Sequence, residues 1–190
     1  MATKRPSRTR APRPWRWTRA HLARLPNDGH RYEVLDGALL VTPQARLAHQ
    51  EVVARLIEVL RPYCRTHELG VAVGPGAVVW SDNELQPDVQ VIPLPAARVM
   101  HEEWETVPPP LLVIEVLSQG SERHDRGKKR AAYLMLGIPE YWIVDIDARS
   151  VTVHMPGAAA PMVVTGALPW TPRADVPALE IDLVRLLGGP

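Results

Sequence analysis

Cysteine is nearly absent from this chain: Cys64 is the single one among 190 residues, which excludes an internal disulfide. Its place in a helical apolar pattern indicates a small core side chain rather than a reactive thiol. The sequence also lacks any run of about 18 apolar residues, the length that a transmembrane helix requires. Because the basic N-terminus is not followed by the apolar segment of a secretory signal, we expect a cytoplasmic protein without a membrane partner.

Acidic residues are absent before Asp28, although the net charge of the whole chain is only +1. The basic residues of this stretch are Lys4, Arg5, Arg8, Arg10, Arg13, Arg16, Arg19 and Arg24. We predict that residues 1–24 form a basic, mobile arm. Its charges could contact phosphates while Trp15 and Trp17 stack on bases. Terminal segments of this composition are more often solvated tails, and we favour that interpretation.

Residues 25–190 predict a single globular domain, because 46% of the chain is apolar and no internal repeat divides it. Helical patterns are expected over residues 46–67 and 121–136, with a short helix near 182–187. Strands are expected at 31–41, as a hairpin hinged at Asp36-Gly37, and at 71–80, 87–92, 111–117, 141–146 and 151–155. This order predicts an α/β or α+β fold with a mixed sheet.

Glu115 interrupts a segment, residues 111–117, that is otherwise apolar and predicts a central strand covered on both faces. An ionised carboxylate in an apolar interior requires a hydrogen bond, an opposite charge or a metal ion. One interpretation is a structural ion pair with a nearby Lys or Arg. Because apolar residues can often replace such pairs without loss of stability, we favour a functional role for Glu115.

Asp88 follows Pro87 at the start of a predicted strand, where its carboxylate can meet that of a neighbouring strand. Two converging carboxylates repel each other unless a cation lies between them, and oxygen ligands suit Mg²⁺. Glu33, on the first hairpin, is a third carboxylate that could complete this cation site. Taken separately, Pro87-Asp88 is an ordinary turn and Glu33 an ordinary strand residue.

Lys129 shares one face of the second predicted helix with Tyr133 and Leu136. We therefore expect Lys129 to face the sheet, where it could offset negative charge on a phosphate or orient the attacking water. Lys128 points elsewhere around the helix. The alternative for Lys129 is a surface ion pair with Asp125, four residues earlier, and the sequence does not decide between the two.

His49 lies near the N-terminus of the first predicted helix, on its apolar face. Its side chain should face inward, as those of Val53 and Leu56 do. A histidine there could position a phosphate or a water. Most histidines at such places are core residues, and for His49 alone we favour that interpretation.

Together these motifs resemble the Uma-type family of restriction endonucleases, within the PD-(D/E)XK superfamily. The resemblance covers about residues 28–187. It rests on Tyr32-Glu33-Val34-Leu35-Asp36-Gly37, His49, Gln86-Pro87-Asp88-Val89, Glu115-Val116-Leu117-Ser118, Asp125-Arg126-Gly127-Lys128-Lys129 with Tyr133, and Gly137-Ile138-Pro139-Glu140-Tyr141-Trp142-Ile143-Val144-Asp145. The superfamily usually carries its lysine two residues after the acidic one, where Leu117 stands here. Similar families supply it from the next helix, which assigns that role to Lys129.

The resemblance implies a restriction-endonuclease-like fold, with a mixed β-sheet core flanked by helices, and an Mg²⁺-dependent endodeoxyribonuclease for which Mn²⁺ can substitute. It implies that Asp88 and Glu115 bind the metal with help from Glu33, and that Lys129 and His49 assist catalysis. DNA is the implied partner, and the resemblance leaves open whether the protein forms a homodimer. The alternatives are a nucleic-acid-binding module without catalysis and an oligomeric interaction protein whose polar residues form a buried network. Only the enzyme requires a metal.

Overall fold

The structure is a computed structural model that describes residues 15–118 and 120–188. The first part of the predicted basic arm, residues 1–14, lies outside the described residues. Within the described ranges, no helix is both long enough and apolar enough to cross a membrane.

Strands and helices alternate along the chain. They are β1 (Arg31–Leu35), β2 (Ala38–Thr42), α1 (Leu47–Thr66), β3 (Val71–Val73), β4 (Val78–Trp80), β5 (Asn83–Leu85), β6 (Val89–Ile92), β7 (Leu112–Val116), α2 (Glu122–His124), α3 (Arg130–Met135), β8 (Glu140–Asp145), β9 (Ser150–His154), β10 (Met162–Val164), β11 (Ala167–Trp170), β12 (Leu179–Asp182) and α4 (Leu183–Leu187). Short 3-10 helices occupy Arg19–Arg24 and Ala96–His101, and a π-helical turn, Asp125–Lys129, joins α2 to α3.

The larger sheet has the strand order β10-β9-β8-β7-β6-β3. β7 and β8 are parallel, with Glu115 opposite Ile143, and the other neighbouring strands are antiparallel. The predicted mixed sheet is therefore confirmed. β7 is an interior strand, and all of its residues are buried, as expected for a strand covered on both faces.

A smaller sheet has the order β2-β1-β5-β4, and β11 pairs with β12. Residues 71–80, predicted as one interrupted strand, are divided between the two larger sheets, because Gly74-Pro75-Gly76 separates β3 from β4. Proline lacks the N–H that a continuous ladder would need at this point. β5 was not predicted from the sequence, since three residues are too few for a periodic pattern.

β7 separates two hydrophobic cores. Every second residue of β7, beginning with Leu112, packs with the buried face of α1 in the larger core. Val113 lies in the other core, with Leu35 of β1 and Tyr133 of α3. Side chains alternate along a strand, so Glu115 lies on the same face of β7 as Val113. The carboxylate of this apolar strand is therefore directed toward α3.

The second predicted helix is present, but it is not one continuous α-helix. α2 gives way after His124 to the π-helical turn, and α3 continues to Met135. Ser121 was predicted to cap this helix, yet its side chain makes no capping hydrogen bond. Its hydroxyl instead accepts a hydrogen bond from the Ser118 N–H at 3.3 Å. Single π-helical turns are rare and concentrate at functional sites.

The predicted hairpin is confirmed, with β1 antiparallel to β2 and positive φ angles of 52° at Asp36 and 83° at Gly37. The preceding chain packs on this turn. The Trp17 N–H donates to the Gly37 carbonyl at 2.9 Å, and the Arg19 N–H donates to the Asp82 carbonyl at 3.0 Å. The division of the chain at residue 24 stays a prediction.

Asp182 determines where α4 begins, because its carboxylate accepts hydrogen bonds from the N–H groups of Val184 at 2.9 Å and Arg185 at 3.1 Å. We expect Asp182→Ala to lower the free energy of unfolding by about 0.5–2 kcal/mol, since both N–H groups lose their acceptor. Asp182→Asn keeps an acceptor oxygen and should lose less. Urea unfolding followed by circular dichroism compares the two, and equal losses would contradict a capping role.

Candidate active site

Carboxylates from separate elements meet at one end of the core that contains Tyr133. Glu33 lies on β1, Asp88 immediately precedes β6, and Glu115 lies on β7. The π-helical turn adds Asp125 and Lys129. All five side chains are buried, and the most exposed residue, Asp88, is 4% accessible. We call these five residues the polar cluster.

Three carboxylates share the ammonium of Lys129. Its Nζ lies 2.8 Å from Glu33 Oε2, 3.1 Å from Glu115 Oε1 and 3.4 Å from Asp125 Oδ1. The pair with Asp125 exists, but it is buried and is not the surface pair that the sequence left open. Lys128 is exposed, whereas Lys129 is 1% accessible. The predicted inward orientation of Lys129 is therefore confirmed.

One ammonium cannot neutralise three buried carboxylates. Burial raises the pKa of Glu115 well above its ordinary value; Lys129 opposes this effect, and the neighbouring carboxylates reinforce it. Burial also raises the pKa of Asp125, again against the charge of Lys129. Burial would lower the pKa of Lys129, but the surrounding carboxylates raise it above its ordinary value. Lys129 therefore stays charged, and three carboxyl groups share its single positive charge, so that they cannot all ionise without a cost in free energy.

Further hydrogen bonds hold the polar cluster in place. The Tyr133 hydroxyl donates to Glu115 Oε1 at 3.3 Å, and the Gln86 N–H donates to Glu33 Oε1 at 2.7 Å. Tyr141 fixes the π-helical turn, because its hydroxyl donates to the Asp125 carbonyl at 3.0 Å. Each element that contributes a carboxylate is thus tied to a neighbouring element.

Asp88 has partners of its own. Arg31 Nη1 donates to its Oδ1 at 2.8 Å, and the Val116 N–H donates to its Oδ2 at 2.8 Å. His49 Nε2 lies 3.1 Å from the same Oδ2, while His49 Nδ1 has no hydrogen-bond partner in the described part of the chain. Burial would raise the pKa of Asp88, but the hydrogen bond from His49 and the charge of Arg31 lower it to about 2. Asp88 is therefore ionised at neutral pH.

Asp88 and Glu115, which the sequence paired, are neighbours. Asp88 accepts its hydrogen bond from Val116, the residue after Glu115. The charge of Asp88 also contributes to the raised pKa of Glu115. The cluster therefore contains one carboxylate that is held ionised beside another whose ionisation is disfavoured.

A divalent cation fits the polar cluster in charge and in donor type. Carboxylate oxygens are the ligands that Mg²⁺ prefers, and a bound cation would favour the ionised form of carboxyls whose ionisation is opposed by burial. Across residues 15–118 and 120–188, however, no three His, Cys, Asp or Glu side chains are already arranged to hold a metal ion. The ammonium of Lys129 contacts both Glu33 and Glu115 instead. The donor chemistry, rather than a preformed set of ligands, is therefore what favours a cation here.

Sequence reasoning did not find the role of Arg31, although it lies two residues before Glu33, a spacing that puts both on one face of β1. Asp125 was considered only as a surface partner of Lys129. Asp125 lies four residues before Lys129, which was expected to face inward, and this spacing could have indicated that Asp125 faces inward as well. Tyr133 was assigned to packing alone, whereas its hydroxyl contacts Glu115.

The family described as "Putative restriction endonuclease", Uma2, matches residues 19–184 of the chain. A solved structure described as a "putative nuclease belonging to DUF820" from Anabaena variabilis is similar, with a TM-score of 0.72 and 18% sequence identity. The similarity covers 90% of this chain and 97% of that chain. At this identity it concerns the fold alone, and it agrees with the fold expected from the sequence. None of the curated proteins is a match.

Lys129→Ala should lower the free energy of unfolding by about 3–5 kcal/mol, because it leaves buried carboxylates without their shared ammonium. Lys128→Ala is the matched control and should unfold like the wild type, since Lys128 is exposed. Denaturant unfolding at several pH values tests both variants.

The deficit of Lys129→Ala should grow as the pH rises above about 4.5, the ordinary value for Glu115. A carboxyl whose pKa is raised in the folded state costs stability once the unfolded chain can release its proton. If the deficit were the same at every pH, the contacts of Lys129 would not be stabilising as ion pairs.

Proposed function

Because the chain belongs to the Uma2 family, described as "Putative restriction endonuclease", we propose that it is a metal-dependent endonuclease that hydrolyses phosphodiester bonds of DNA. The observation that carries this proposal is the excess of buried carboxyl groups over positive charge in the polar cluster, where Glu33, Glu115 and Asp125 share one ammonium. Burying charge without full compensation destabilises a fold and is common at catalytic sites.

In this proposal Asp88 and Glu115 hold Mg²⁺, for which Mn²⁺ can substitute, and Glu33 assists. Such a cation acidifies water and offsets the negative charge that develops on a phosphate. Asp88 suits this role because its hydrogen bonds keep it ionised at neutral pH. Glu115 suits it because an additional positive charge would relieve the cost of ionising a buried carboxyl.

His49 is proposed to accept a proton from the attacking water. The hydrogen bond between His49 Nε2 and Asp88 orients the imidazole, and Nδ1 is the nitrogen that has no partner among the described residues. A carboxylate bonded to one imidazole nitrogen stabilises the positive charge that appears when the other takes up a proton. The water oxygen bonds to phosphorus as a phosphorus–oxygen bond of the strand breaks. The leaving oxygen takes a proton from solvent, which leaves one phosphate end and one hydroxyl end.

Lys129 is proposed to orient Glu33 and Glu115 and to supply positive charge near the phosphate. Its contacts at 2.8 and 3.1 Å support the first role directly. The second follows from the value of a fixed charge in a buried site, where it stabilises developing negative charge more strongly than it would in water. The basic residues before Asp28 would add affinity for DNA by contacting phosphates, without selecting a sequence.

A second candidate is a protein that binds nucleic acid, or another protein, without catalysis. One observation favours it: Lys129 already contacts three carboxylates, so part of the polar cluster is satisfied without a metal. Such a protein would need no cation, whereas the enzyme would. A homodimer stays a prediction for either candidate.

We expect the protein to bind Mn²⁺ through Asp88 and Glu115, because Mn²⁺ can take the place of Mg²⁺ and its binding is observed by calorimetry or by electron paramagnetic resonance. The double variant Asp88→Asn, Glu115→Gln should lose this binding, since the amides keep the shape of the side chains but not their charge. Glu122→Gln is the control, because Glu122 is an exposed acidic residue on α2. Equal Mn²⁺ affinity in the wild type and the double variant would rule out the proposed ligands.

DNA cleavage is expected on at least one of supercoiled, linear or single-stranded DNA in the presence of Mg²⁺ or Mn²⁺, and Glu115→Gln should abolish it. Lys129→Ala should cut about 10²- to 10³-fold more slowly, the usual effect of removing one group that stabilises transition-state charge. Lys128→Ala should cut at the rate of the wild type.

Thermal melts must accompany these rates, because Lys129→Ala also loses an ion-pair partner. The double variant Lys129→Met, Glu33→Gln removes one charge of each sign, so it should be more stable than Lys129→Ala and still cut slowly. Normal cleavage by this folded double variant would exclude Lys129 from catalysis. Cleavage that persists in Glu115→Gln would refute the site.

A further inference from the structure

A small cavity lies on the same face of the larger sheet as the polar cluster. Its volume is about 120 Å³, and the residues that line it include Trp80, Trp104, Gln90 and the prolines 108–110. Gln90 follows Asp88 by two residues and stands opposite Val113, which precedes Glu115 by two residues. The cavity is therefore next to the polar cluster along β6 and β7, and no residue of the cluster is among those that line it.

Gln90 is the unusual residue of this cavity. It is 0% accessible, and its Nε2 donates a long hydrogen bond of 3.5 Å to the Ala77 carbonyl. Its Oε1 has no hydrogen-bond partner in the described ranges, 15–118 and 120–188. Buried side-chain oxygens are almost always paired, because an unpaired acceptor loses its hydrogen bonds to water and gains none in return. A ligand with an N–H group would supply the missing donor.

Gly76 allows the ring of Trp104 and the amide of Gln90 to lie next to each other. A Cβ atom at this position would lie 2.3 Å from Cη2 of Trp104 and 2.7 Å from Nε2 of Gln90. Any side chain here would displace the indole from the amide. The absence of a side chain at Gly76 thus keeps an aromatic ring and an amide side by side at the cavity.

These walls match one class of ligand, a planar ring with N–H groups at its edge. Indoles stack on the faces of such rings, and a glutamine amide bonds to their edges. The prolines at 108–110 have no N–H to offer, so they form an apolar wall. Trp104 is 39% accessible, so this wall of the cavity reaches the protein surface, where an attached sugar and phosphate would lie.

We infer that this cavity binds a single nucleobase turned out of a nucleic-acid strand, with Gln90 Oε1 accepting a hydrogen bond from the base and Trp80 and Trp104 contacting its ring. The inference rests on the proposed function for the presence of a strand next to the polar cluster. It adds a site that recognises a base beside the site that cuts the backbone. Turning a base out of the stack is least costly in single-stranded or mismatched DNA, so such substrates should bind best.

The test uses the full-length chain in EDTA, where no cleavage occurs, and a short single strand that carries 2-aminopurine at its centre. Binding is followed by the change in 2-aminopurine fluorescence. Gln90→Leu and Trp104→Ala should each weaken the binding of the strand by about 5- to 100-fold, the range observed when one stacked or hydrogen-bonded contact to a base is lost. Val163→Ala is the control, since Val163 on β10 is 63% accessible and does not line the cavity.

Gln90→Leu should melt near the temperature of the wild type, because the removal of an unpaired buried acceptor offsets the loss of the long hydrogen bond to the Ala77 carbonyl. A melting temperature well below that of the wild type would indicate a structural role for Gln90 instead of a binding role. The free 2-aminopurine nucleoside provides a second arm. The nucleoside can bind as tightly as the strand, and the two variants can both fail to bind it. This result would support the nucleobase site and would show that the cavity binds free nucleobases.

Unchanged affinity for both ligands in Gln90→Leu and Trp104→Ala would overturn the inference. The result is independent of catalysis. A protein that binds the base through Gln90 but never cuts DNA contradicts only the proposed function. A protein that cuts DNA and binds the strand equally well with and without Gln90 contradicts only the nucleobase site.

Discussion

The contact on which the rest of the site depends is the shared ammonium of Lys129. Glu33, Glu115 and Asp125 come from three elements, and without a common positive charge their carboxylates would repel one another in a medium that screens charge poorly. Lys129 holds them together, with Nζ within 3.4 Å of each. The same arrangement leaves more carboxyl groups than positive charges, and this excess is what supports the proposal of a bound cation.

Asp88 and Glu115 differ in how readily their carboxyl groups ionise, and the difference has a physical cause. Asp88 accepts hydrogen bonds from three directions, so its pKa lies at about 2 despite its burial. Glu115 lies deeper, beside other carboxylates, and its pKa is raised. A site that contains both would offer the proposed cation one carboxylate that is already ionised and another whose ionisation the added positive charge would favour. This difference connects the packing of β7 between two cores to the proposed chemistry.

Part of the site could be predicted because its signals are local. Glu115 is conspicuous in residues 111–117, where every neighbour is apolar, and burial of the whole strand follows from that composition. Helical spacing separated Lys129 from Lys128, and the structure agrees with that choice. The hairpin turn followed from Asp36-Gly37, since few residues adopt positive φ without strain. In each case the residues that support the prediction lie within a short segment of the sequence.

The sequence by itself determined the buried carboxylate, the inward-facing lysine and most of the strand and helix order, because periodicity and side-chain chemistry act over a few residues. It did not determine β5 or the division of residues 71–80 between two sheets. Only the tertiary structure decided that Arg31 pairs with Asp88, that Asp125 joins the cluster through a π-helical turn, and that Gln90 lines a cavity with Trp104. These facts depend on strand register and on contacts between residues far apart in the chain. Burial then determines how much each charge costs, and no local pattern contains that information.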